Sequence, residues 1–138
     1  MSTIPVLRCA AGVQFAVIAP GGFRMLAALD GLSKVLGRDV WLTSGTDRHR
    51  AGRHPTGEAY DVRVTGWTVP MIAKALQFLR QTLGARFTVL YEVTTAQGLD
   101  DTERAIATVN LHATARHLHL QVKRATIYPP IEPVAYDV

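Results

Sequence analysis

The chain has 138 residues, 48% of them hydrophobic and 19% charged, with a formal net charge of +4 and a sequence pI near 9.6. This composition excludes a disordered or low-complexity chain, and the length suits one domain, residues 1–138, able to bury a core without covalent staples. A single cysteine, Cys9, excludes an internal disulfide and a thiolate zinc knuckle, and the scattered placement of Lys and Arg argues against a nucleic-acid partner.

No apolar run approaches the roughly 20 residues that a membrane span needs, so no membrane partner is expected. Gln14 interrupts the apolar stretch "CAAGVQFAVIAPGG", and no secretory signal is evident. The expectation is cytoplasmic synthesis, with any action outside the cell following release by other means.

The first periodic segment is "GGFRMLAALDGLSKVLGRD". Phe23, Leu26, Leu29, Leu32, Val35 and Leu36 recur at helical spacing, and Gly37 supplies a stop. "DVWLTSG" follows as a short strand ending in a turn, and "YDVRV" alternates as a second strand. "TVPMIAKALQFLRQTLG" reads as a second amphipathic helix, with Thr68 as N-cap, Pro70 in the first turn and Gly84 after its end. "RFTVLYEV", "AIATVNL" and "HLHLQV" are three further strands. A polar loop over 94–105 separates the first two, and its Asp100, Asp101 and Glu103 read as a solvated acidic run. The tail "YPPIEPVAYDV" is Pro-rich and extended. The fold class is α+β: two helices packed on one face of a small, mainly antiparallel sheet.

Alternation along "HLHLQV" places His117, His119 and Gln121 on one face, and Leu118, Leu120 and Val122 on the other, the natural core face. Taken alone, the two imidazoles are either solvated strand residues or ligands. Upstream, "HPTGEAYD" places His54 at the end of a loop and Asp61 at the start of a strand, with Pro55 and Gly57 suited to a tight turn between them. Together the stretches offer His, Asp and His, with one more His beside the last. Catalytic zinc sites use three nitrogen or oxygen ligands, and without a thiolate such a set suits zinc first among borderline metals.

"HPTGEAYD" resembles the first motif, His-x-x-Gly-x-Ala-x-Asp, of the D-Ala-D-Ala peptidase/Hedgehog-type zinc fold. "HLH" resembles the His-x-His motif of the wider superfamily that includes lysostaphin-type and murein endopeptidases. The strand and "SG" turn over Leu42 to Gly45, followed by an Arg, is similar to that group's lead-in, and the resemblance covers roughly residues 23–122. It implies a Hedgehog/DD-peptidase-like fold with zinc held by His54, Asp61 and His119, and His117 beside the reacting water or the oxyanion. It implies hydrolysis of amide bonds in bacterial peptidoglycan peptides, often by phage endolysins or virion components.

The chain departs from that pattern in three places. Gly52 stands where many members have Ser, two residues before the first His. The substrate-binding Arg comes late, at Arg48 after "TD", with Arg50 and Arg53 as neighbouring alternatives. Arg116 stands three residues before the last ligand His, where carboxypeptidase-like members have a carboxylate. Glu92 resembles the Glu that precedes His-x-His more closely in some phage relatives, so the general base is Glu92 or His117. His49 and His112 have no expected metal role. Hedgehog-type domains keep zinc without evident peptidase work, which leaves a zinc-bearing structural or binding module as the alternative.

Overall fold

A computed structural model describes residues 4–15, 18–45 and 57–123. The elements run β1 (Leu7–Cys9), α1 (Pro20–Leu36), β2 (Val40–Ser44), β3 (Ala59–Arg63), α2 (Val69–Leu83), β4 (Phe87–Val93), α3 (Asp101–Ile106), β5 (Ala107–Val109) and β6 (His117–Val122). The strands form one sheet in the order β1-β2-β3-β6-β4-β5. Its four inner strands pair antiparallel, and each edge strand pairs parallel to its neighbour. The α+β expectation therefore holds, with a mostly antiparallel sheet. Among the described residues, no helix is long and apolar enough to cross a membrane.

Helix α1 starts at Pro20, which needs no amide partner there, and stops at Gly37, whose left-handed φ of 69° lets its N–H return to the Ser33 carbonyl. Its buried stripe is Met25, Ala28, Leu29 and Leu32. Phe23 and Val35, expected on the apolar face, stay 45% and 39% exposed. Phe23 lies nine residues before Leu32, about half a rotation away on the helical wheel, so the two cannot share one face. Helix α2 begins where the Thr68 hydroxyl accepts the Met71 N–H and ends at Gly84, as expected, and it buries Ile72, Ala75, Leu76 and Leu79.

The helices cover one face of the sheet. Val40 and Leu42 of β2, Tyr60 and Val62 of β3, Val89 and Tyr91 of β4, and Leu118 and Leu120 of β6 meet them there in a single core. Leu118 and Leu120 are each fully buried, which stabilises the fold by about 1.5–3 kcal/mol apiece. The same alternation delivers their odd-numbered neighbours to the opposite face.

The segment 94–105 is not a polar loop throughout. Asp100 caps α3 by accepting the Glu103 N–H at 2.8 Å, and Leu99 is buried. Glu103, expected in solvent with Asp100 and Asp101, is only 7% exposed. It is held inside because Tyr91 donates to it at 2.7 Å and Arg116 pairs with it at 3.1 Å. The strand expected over "AIATVNL" shrinks to β5, since Ala105 and Ile106 close α3 instead.

Candidate metal centre on the sheet face opposite the helices

The register of the three central strands builds the site. β3 and β6 run antiparallel with Asp61 opposite His119 and Arg63 opposite His117. β4 and β6 run antiparallel with Glu92 opposite His117. Three side chains distant in sequence thereby meet two histidines spaced one residue apart. The Asp61, Glu92, His117 and His119 side chains are 15%, 13%, 16% and 15% exposed, so their charges act on one another through little water.

His119 Nδ1 lies 2.9 Å from Asp61 Oδ1, and its Nε2 lies 2.9 Å from Gln121 Oε1. Both ring nitrogens are therefore engaged, one by a carboxylate and one by an amide. Burial pushes the His119 pKa down. The hydrogen bonds to Asp61 and Gln121, with the negative charges of Asp61 and Glu92, outweigh burial and raise it.

His117 is fixed differently. Its Nδ1–H donates to the Ala115 carbonyl at 2.9 Å, which settles the tautomer and leaves Nε2 as the working nitrogen. Nε2 lies 2.9 Å from Glu92 Oε1 and 3.6 Å from Asp61 Oδ1. The Asn110 amide donates to the same Glu92 oxygen at 3.4 Å. The His117 and His119 ring centroids are 6.4 Å apart, as a two-residue strand step dictates.

Among the described residues, Asp61, His117 and His119 each offer a ligand atom within 4.8 Å of the others, and they alone form such a cluster. Two imidazole nitrogens and one carboxylate oxygen are a borderline-metal donor set of the size found in catalytic zinc sites. Tetrahedral zinc sets its ligand atoms roughly 3.4 Å apart. The contacts of Asp61 Oδ1 to the two rings, 2.9 and 3.6 Å, already bracket that spacing. His119 Nδ1 faces Asp61 and could serve as its ligand atom, with Gln121 holding the ring through Nε2. The residues fit the group.

The structure therefore brings together Asp61, Glu92, His117 and His119 from the expected set. His54 and Arg48 lie outside the described residues, as do His49, Arg50 and Arg53. His112 contributes its backbone N–H to Asn110. Arg116 pairs with Glu103 and is no proton acceptor. Asn110 went unnoticed in the sequence, where it is one Asn at the end of a weak strand. The pairing of β5 with β4, continued by the bond from the Asn110 amide to the Val93 carbonyl, brings it beside Glu92. No family model, curated protein or solved structure gives a significant match to this chain.

Proposed function

We propose that the protein is a zinc-dependent peptidase acting on amide bonds of bacterial peptidoglycan peptides. One observation carries this reading: Asp61, His117 and His119 form a donor cluster on one sheet face, and Glu92, 2.9 Å from His117 Nε2, adds a carboxylate–imidazole pair that shares His117 with it. A structural metal site needs only the first of these. The resemblance of "HPTGEAYD" and "HLH" to the D-Ala-D-Ala peptidase/Hedgehog-type motifs supplies the substrate class.

Asp61 and His119 would hold the zinc with His54, the set that the resemblance implies, and His117 is the alternative third donor within the described cluster. When bound, zinc supplies Lewis acidity, polarising a carbonyl and making water nucleophilic at a pH of about 7. The chain's own residues handle the protons. Glu92 and His117 accept the proton of the attacking water at the shared Oε1–Nε2 position. Asn110 steadies the Glu92 carboxylate meanwhile. As the C–N bond breaks, the pair returns that proton to the leaving amine. In its imidazolium form His117 also donates toward the developing oxyanion.

A second reading rests on Arg116. It stands where carboxypeptidase-like members carry a base, and Glu103 holds it in an ion pair. On that reading the centre binds zinc without hydrolysis, as part of a structural or binding module such as a phage virion component. Soluble muropeptides separate the two. The peptidase reading expects hydrolysis by the wild type, a loss on the order of 10²-fold or more in Glu92→Gln with zinc retained, and complete loss in His119→Ala. Full zinc occupancy with intact muropeptides establishes the second reading.

A further inference from the structure

The strand register aligns one row of side chains across all six strands on the site face. Arg8 of β1 is opposite Trp41 of β2, and the Leu42–Val62 pair sets Trp41 beside Arg63 of β3. Arg63 is opposite His117, which is opposite Glu92, which is opposite Thr108 of β5. The row thus has an acidic and hydroxyl wing on the β4 side of His117 and an aromatic and cationic wing on the β3 side.

The two cations of that wing differ. Arg8 is neutralised by Asp39, whose carboxylate also accepts the Val6 N–H at 3.0 Å. Arg8 lies 5.9 Å from the Trp41 ring centroid and steadies the indole from the β1 side. Arg63 is exposed and lies 5.4 Å from the same centroid. Among the described residues, no carboxylate pairs with it. Stacking orients the planar guanidinium and leaves its N–H fork free, the arrangement that favours a bidentate carboxylate.

Resting on the peptidase reading, we propose that Arg63, braced by Trp41, is a carboxylate-binding subsite of the peptide substrate, separate from Arg48. The guanidinium lies between one and two strand spacings from His117, roughly 5–10 Å, which an extended peptide spans in two or three residues. The carboxylate recognised is therefore two or three residues from the bond that reacts. In a stem peptide it comes from the chain end or from an acidic residue within the chain.

The test is calorimetric titration of the full chain, with chelator present to prevent turnover. The probes are L-Ala-γ-D-Glu-L-Lys-D-Ala-D-Ala, its C-terminal amide, and its D-Glu α-amide. One amide form should bind more weakly than the free acid by about tenfold or more, and which one it is identifies the source of the carboxylate. Arg63→Gln should erase that difference, Arg63→Lys should restore only part of it, and Trp41→Leu should weaken it. Equal binding of all three probes by the wild type, or a difference that survives in Arg63→Gln, overturns the subsite. Zinc content and cleavage are measured on the same preparations without chelator. If zinc and cleavage are present but the amides bind like the acid, the subsite is wrong and the peptidase reading stands. An Arg63-dependent preference without zinc or cleavage reverses that outcome. Absence of all three overturns both.

Discussion

Replacing Tyr91 with Phe removes one oxygen from a buried polar contact. Tyr91 is fully buried, and its hydroxyl donates at 2.7 Å to Glu103, whose side chain is 9% exposed. Burial first, and Glu103 second, push the Tyr91 pKa up to about 12, so the hydroxyl remains a donor throughout the neutral range. A hydrogen bond to a charged acceptor contributes about 1.5–3 kcal/mol. The remaining partner, Arg116, is 57% exposed, so solvent screening lets it offset little of that loss. With an unfolding entropy near 2.1 cal/mol/K per residue, the melting temperature should fall by roughly 5–10 °C. Tyr60 provides the control. It is equally buried, with a pKa pushed by burial to about 12, yet its hydroxyl has no partner among the described residues. Tyr60→Phe should be neutral or stabilising, because it deletes an unsatisfied group. Scanning calorimetry of the two variants decides the matter. Equal melting temperatures for both, or a larger drop for Tyr60→Phe, would refute the assignment of Tyr91, Glu103 and Arg116 as one buried network.

Four further outcomes concern the metal centre. His119→Ala should leave no stoichiometric zinc by elemental analysis, whereas His117→Ala should keep most of it and lose turnover by a factor on the order of 10² or more; the reverse pattern inverts the assignment within "HLH". Gln121→Leu should weaken zinc binding roughly 10–100-fold in a competition titration with a chromophoric chelator, by freeing the His119 ring. In zinc-free protein the raised His119 pKa means that protonation favours the folded state: the contribution is complete below the unfolded value and is lost as pH rises through the folded one. The melting-temperature gap between zinc-free wild type and His119→Ala should therefore be wider at pH 6 than at pH 8, while zinc affinity, which competes with that proton, rises over the same interval.

Much of the site face was legible because a strand's period is two. The alternation in "HLHLQV" assigned His117, His119 and Gln121 to one face and Leu118 and Leu120 to the core, and Asp61 and Glu92 stood out within strands that alternate in the same way. The strand order was not legible, since no local pattern says that β6 inserts between β3 and β4, and that insertion is what makes the site. β1 escaped notice because three residues at a parallel edge carry no periodicity. The start of α3 was written in the chain: Asp100 followed three residues later by Glu103 is a capping signature, masked by the polar composition around it. Glu103 itself misled because burial of a carboxylate depends on Tyr91 and Arg116, which are 12 and 13 residues away.

The most direct measurement is mass analysis of purified peptidoglycan after incubation with the protein, with chelator, and with chelator followed by zinc. Proposed peptidase action predicts new free amine and carboxyl ends at one type of amide bond, their loss under chelation, and their return with about one equivalent of zinc per chain. Unaltered peptidoglycan from a preparation carrying that full equivalent of zinc would contradict it.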